Sequence, residues 1–151
     1  MRSISLIGDG GVQKGSELYK VAEEIGYLVA KRGYVLICGG LFGVMEAGAK
    51  GAKKAGGLTI GILPEYDSPS NQYIDIRIPT GMGQARNVLV VSSSDIVVAV
   101  GGSYGTLSEI GHALKLDKKV IGYRTWEIEG IKNFVEAEDF LNYFSNFLNE
   151  T

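Results

Sequence analysis

The sequence predicts an α/β protein: a three-layer, doubly wound, Rossmann-like fold on a mostly parallel sheet of about six or seven strands. Three observations lead there. Short apolar runs alternate with amphipathic helical stretches, the pattern of successive βαβ units. Runs such as Ile96-Val97-Val98-Ala99-Val100 are apolar without alternation, as in strands covered on both faces. Glycine is abundant, 22 residues against three prolines, and clusters at the ends of the apolar runs. There, sharp turns and close approach of a ligand favour a residue without Cβ.

The elements follow in order. Residues 3–8 form a first strand that ends at Gly8-Asp9-Gly10-Gly11. Residues 15–32 carry Leu18, Val21, Ala22, Ile25, Leu28 and Val29 at helical spacing, with Gly33 placed to end the helix. A second strand at 34–38 turns through Gly39 to Gly43 into a helix of small residues at 43–55, stopped by Gly56-Gly57. Strands follow at 58–63 and 74–78, separated by a loop containing Pro64 and Pro69. Gly81-Met82-Gly83 leads into a helix at 83–93, and a fifth strand occupies 95–100. Residues 101–105 turn into a helix at 106–116, and 120–123 make a sixth strand. A closing helix at 138–148 presents Phe140, Leu141, Phe144 and Leu148 on one face.

A chain of 151 residues with 45% hydrophobic content suits one domain spanning 1–151. The formal charge of −2, from 15 basic and 17 acidic residues, gives no basis for a nucleic-acid or membrane-surface partner. Cys38 is the single cysteine, so no internal disulfide forms. Without a span-length apolar run or a leader ahead of the first strand, the expected location is the cytoplasm. No metal site is expected: His112, three residues after Glu109, is the only histidine.

Three strand-to-helix turns, at 8–11, 39–43 and 101–105, carry glycine clusters. Such turns aim backbone N–H groups and the positive end of a helix dipole at one point, which favours an anion such as phosphate. The plainer alternative is that the glycines only make tight turns. Established nucleotide fingerprints fail. Lys14 precedes Gly15 in the stretch that outlines a P-loop, and no Gly-Lys-Ser/Thr occurs, which argues against ordinary NTP hydrolysis. Gly8-Asp9-Gly10 is followed by Gln13 where a dinucleotide fingerprint needs glycine. Cys38 fits a small core residue better than a nucleophile. Asp9 fits a turn or a ribose contact equally. Tyr104 and Trp126 fit packing, a pocket wall or a base stack.

The stretch Gly101-Gly102-Ser103-Tyr104-Gly105-Thr106-Leu107-Ser108-Glu109 resembles the PGGxGTxxE motif of the LOG family, long labelled lysine-decarboxylase-like. Arg86, in Met82-Gly83-Gln84-Ala85-Arg86-Asn87, matches the arginine of that family's RKxxM helix. The run from Cys38 to Met45 resembles its GGGxxGxM turn. The motifs occur in family order, and the resemblance covers essentially the whole chain. Gly101, Ser103, Asn87 and Cys38 depart from it, as in a divergent branch of the wider superfamily (SLOG) that includes proteins resembling molybdenum-cofactor carriers.

The resemblance implies a ligand site at Gly8, Gly39, Gly40, Gly43, Gly102, Ser103, Tyr104, Gly105 and Thr106, with Arg86 and Glu109 in catalytic positions. The implied partner is a phosphate-bearing small molecule, a nucleotide or the molybdenum cofactor, with no further cofactor required. The resemblance also implies a homodimer or higher oligomer, with the helices near 83–93 and 104–116 at the interface. Two activities stay open: binding or carriage of that ligand, and phosphoribohydrolase cleavage of the N-glycosidic bond of a nucleoside 5′-monophosphate. In the second, Glu109 would stabilise the developing oxocarbenium charge or orient a water or ribose hydroxyl. Lysine decarboxylation is the poorest candidate: no sequence argument points to a pyridoxal-phosphate lysine, and the family label is not evidence of that reaction. Thr106 and Glu109 also have capping-box spacing, so Glu109 could serve only its helix.

Overall fold

The structure, a computed structural model, describes residues 2–151. One sheet organises the chain, with its seven strands in the order β4-β3-β2-β1-β5-β6-β7. Every pairing in it is parallel. The strands are β1 (Ser3–Gly8), β2 (Val35–Cys38), β3 (Thr59–Leu63), β4 (Ile76–Pro79), β5 (Ile96–Val100), β6 (Lys119–Tyr123) and β7 (Lys132–Phe134). The helices are α1 (Glu17–Lys31), α2 (Val44–Lys54), α3 (Asn87–Ser92), α4 (Tyr104–Lys115) and α5 (Ala137–Glu150). Among the described residues, no helix is long and apolar enough to cross a membrane.

Alternation along the central strands separates two cores. Ile4 and Leu6 of β1, Leu36 of β2, and Val98 and Val100 of β5 face one side, against α1, α2 and α5. Ile7, Val35, Ile37, Val97 and Ala99 face the other side, against α3 and α4. All five residues of β5 are buried, so the unbroken apolar run at 96–100 reflects helices on both faces. Ser16 caps α1 by accepting a hydrogen bond from the Tyr19 N–H at 3.3 Å, and Glu17 and Lys31 complement the dipole at its two ends.

α1 and α2 meet backbone to backbone. A Cβ on Gly51 would lie 1.8 Å from the Glu23 carbonyl oxygen, and one on Gly26 would lie 1.9 Å from that of Gly48. The small-residue composition of α2 follows from this contact, since larger side chains would drive the helices apart.

Several boundaries differ from the sequence expectation. The helix expected at 83–93 is a 3-10 turn, Gly83–Arg86, followed by the short α3. Its entry is set by a hydrogen bond from the Gly83 N–H to the Pro64 carbonyl at 2.9 Å, a tertiary contact with no local sequence signal. β7 has three residues at the sheet edge, too few to show a period. α4 begins at Tyr104, two residues before the expected start at 106.

Gly51→Ala tests the α1–α2 contact. Overpacking there is expected to destabilise the protein by about 1–3 kcal/mol. Urea unfolding of the variant against the native chain measures it.

Candidate functional site

The chain winds from β1 out to β4, then returns to lay β5 on the other flank of β1. α2 leaves β2 toward one face and α4 leaves β5 toward the other, so their N-terminal ends diverge above β1. The gap is a cleft of about 170 Å³. Its floor is the end of β1, through Leu6, Ile7 and Gly8. Gly39, Leu41 and Met45 form one wall, and Ser103, Gly105, Thr106 and Glu109 form the other. Gln84, Arg86 and Asn87 close the third side.

Arg86 is the last residue of the 3-10 turn and is 6% exposed. Its Nη1 donates to Asn87 Oδ1, its Nη2 donates to the Gly39 carbonyl at 3.5 Å, and among the described residues its buried Nε has no partner. Gly39 makes room for this side chain: a Cβ there would stand 3.0 Å from Arg86 Nη2 and 2.9 Å from Met45 Sδ.

Glu109 projects from α4 and is 8% exposed. Among the described residues its carboxyl takes part in no hydrogen bond and no direct ion pair with Arg86. Burial pushes its pKa up to about 8, against the opposing pull of the Arg86 charge. Burial likewise lowers the Arg86 pKa, opposed by Glu109 and Cys38. The cleft thus holds an arginine and a carboxylic acid that stays largely protonated near neutral pH.

The capping-box alternative for Glu109 is overturned. The N-cap of α4 is Ser103, which makes no side-chain capping bond. Thr106 is therefore the third helical residue and Glu109 the sixth, beyond reach of the cap N–H. The same shift leaves the first N–H groups of α4 without a side-chain cap beside Ser103, Gly105 and Thr106.

Of the residues singled out in the sequence, Gly8, Gly39, Ser103, Gly105, Thr106, Arg86 and Glu109 line the cleft. Gly40, Gly43, Gly102 and Tyr104 do not. Gly40 packs on Leu63, Gly43 packs on the Asp9-Gly10 backbone, and Gly102 faces Thr106. Tyr104 is 80% exposed, its ring 5.9 Å from that of Trp126, whose Nε1 donates to the Ser103 carbonyl at 3.0 Å. Asp9 closes its own turn by accepting from the Gly11 N–H at 2.8 Å. Cys38 is buried, with its thiol pKa pushed up to about 11 by desolvation, which suits a core residue.

Sequence reasoning missed Gln84, Leu41 and Met45 as lining residues, and treated Asn87 only as a departure from a motif. Asn87 is 5% exposed and hydrogen-bonded on both sides of its amide. Its position directly after Arg86 was the available signal.

A family model described as the SLOG cluster4 family matches residues 1–146. The chain belongs to that family. Another chain similar to this SLOG cluster4 protein is an uncharacterized protein of Archaeoglobus fulgidus, 49% identical over 144 residues, covering 95% of this chain and 94% of the other. A cytokinin riboside 5′-monophosphate phosphoribohydrolase of Mycobacterium tuberculosis is 30% identical over 133 residues, covering 81% of this chain and 71% of that protein. Among solved structures, the molybdenum cofactor binding protein of Rippkaea orientalis superposes with a TM-score of 0.83 at 35% identity, covering 97% of each chain. The molybdenum cofactor carrier protein of Chlamydomonas reinhardtii superposes at 0.84 with 31% identity, covering 100% of each.

The buried acid has a signature in stability. Folded Glu109 holds its proton more tightly than the unfolded chain does. Its contribution to stability is therefore full below the unfolded carboxylate range and is lost as pH rises through about 8. Glu109→Gln, neutral at every pH, is expected to gain on the native protein by roughly 2–4 kcal/mol between about pH 5 and pH 9. Denaturant unfolding across that range measures the gain. A constant difference would mean that Glu109 is ionised throughout.

Proposed function

We propose that the protein binds a phosphate-bearing small molecule in the cleft above β1 and serves as a binding or carrier protein for it. The observation that carries this reading is Arg86: a buried cation with neutral hydrogen-bond partners and an unpartnered Nε, facing the uncapped start of α4. A buried arginine is ordinarily matched by a carboxylate. Here the nearby acid is held toward its neutral form, so an arriving anion supplies the counter-charge.

The cleft is smaller than the roughly 300–1,000 Å³ of ordinary small-molecule pockets. It accommodates the phosphate end of a ligand, with the rest extending over the adjoining depression beside Gln84, Val88, Tyr104 and His112. A nucleotide and the molybdenum cofactor both have this form, a heterocycle carrying a phosphate. The relatives named for molybdenum-cofactor binding and carriage support the second. The exposed Tyr104 on α4 and Met82 before α3 also support packing of a homodimer or higher oligomer through this side.

Glu109 supports a second reading, cleavage of the N-glycosidic bond of a nucleoside 5′-monophosphate. Its near-neutral pKa inside the cleft suits proton transfer or water orientation while Arg86 holds the phosphate. The phosphoribohydrolase relative supports it too.

Ribose 5-phosphate and AMP test the binding reading. Both are expected to bind by calorimetry and to change the fluorescence of Trp126, the only tryptophan. Arg86→Gln should weaken them about 10–100-fold. Binding unaffected by Arg86→Gln would defeat the proposed site. Free adenine released from AMP by the native protein, and not by Glu109→Gln, would establish hydrolysis; its absence with binding intact would leave carriage.

A further inference from the structure

We propose that Asn87 and Ser108 are positioning residues for Arg86, forming a neutral clamp that orients its guanidinium without cancelling its charge. The consequence for ligand binding rests on the phosphate-binding reading above; the clamp itself does not.

The hydrogen bonds run in one direction. Arg86 Nη1 donates to Asn87 Oδ1, Asn87 Nδ2 donates to Ser108 Oγ at 3.3 Å, and Ser108 Oγ donates to the Gly105 carbonyl at 2.7 Å. Ser108 spends its only proton on Gly105, so it must accept from Asn87. Asn87 must then turn its NH2 to Ser108 and its oxygen to the guanidinium, because a guanidinium offers donors only. Each end therefore fixes the amide orientation from its own side. An aspartate at 87 could accept but could not donate to Ser108, and its charge would neutralise Arg86. A leucine could do neither.

The chain of bonds links the last residue of the 3-10 turn to the first turn of α4 at the edge of the cleft, beside the adjoining depression that Asn87, Gly105 and Ser108 line. Gly105, the terminus of the clamp, itself lines the cleft. The Gly39 carbonyl holds Nη2 from the opposite wall. Arg86 is thus fixed by neutral acceptors alone, with its Nε left over. A guanidinium held in this way keeps its full attraction for an incoming anion, whereas one paired to a fixed carboxylate would have to break that pair first.

Two readouts test the proposal. The first uses ligand-free protein. Nitrogen-15 spectra of the Arg86 side chain, assigned with Arg86→Lys, should show separate Nη resonances from hindered rotation. Asn87→Leu should merge them, Ser108→Ala should do so partially, and Ser108→Thr should restore them. Separate resonances that persist in a folded Asn87→Leu overturn the clamp. The second is ribose 5-phosphate affinity. Asn87→Leu and Asn87→Asp should each weaken it about tenfold or more, while Asn87→Leu added to Arg86→Gln should cost nothing further. Additive losses would mean that Asn87 acts independently of Arg86, which also overturns the proposal. If native protein fails to bind ribose 5-phosphate, the phosphate reading falls and the spectra alone decide the clamp. Should Asn87→Leu not fold, the milder Ser108→Ala and Ser108→Thr pair carries both measurements.

Discussion

The site depends on the position of β1, buried on both faces between β2 and β5. Parallel strands present their carboxyl ends on one edge of the sheet, and helices that follow neighbouring strands on the same face close that edge between them. The reversal of winding at β1 breaks the closure, because α2 and α4 leave toward opposite faces. Gly8 ends β1 inside the resulting gap, where a Cβ would strike the Val100 carbonyl oxygen at 2.2 Å. The gap is a product of connectivity, and the side chains around it are those that connectivity delivers: Gly39 after β2, Arg86 before α3, and Thr106 and Glu109 on α4.

This explains which parts were legible in the sequence. Strands buried on both faces write continuous apolar runs, so β2 and β5 stand out, while β1 and β3, broken by Ser5 and Gly61, are legible from their apolar residues and the glycine-rich turns that bound them. β7 and the 3-10 turn are not, because three edge residues show no period and the turn is held by Pro64 from another loop. In the site, Arg86 and Glu109 were legible through their motif spacing. The glycines were legible only as turns. Gly39 and Gly105 reach the cleft, whereas Gly40, Gly43 and Gly102 solve packing problems against Leu63, the Asp9-Gly10 backbone and Thr106. A linear motif does not separate these two uses of a missing Cβ. It also placed the start of α4 too late, and that error alone produced the capping alternative for Glu109.

The electrostatics of the cleft leave a buried arginine without a charged partner among the described residues. Two groups of opposite formal charge share the cleft, yet they do not pair, and desolvation moves the acid toward neutrality while the arginine stays cationic. Holding an arginine among neutral oxygens is costly in isolation, since buried charges are ordinarily compensated. Under the proposed function, a bound anion offsets that cost. The two proposed readings, carriage and hydrolysis, share this step. They part only at Glu109, where the protonated acid either shapes the cleft or moves a proton.

Gly39 ties together two distant positions. Its missing Cβ is the space that the Arg86 guanidinium and the Met45 sulfur occupy. A Cβ at 39 would force the Arg86 guanidinium or the Met45 thioether to shift from the space it now fills. The two positions, 47 residues apart in the chain, are therefore coupled through space: the size of the residue at 39 sets where the guanidinium at 86 can lie.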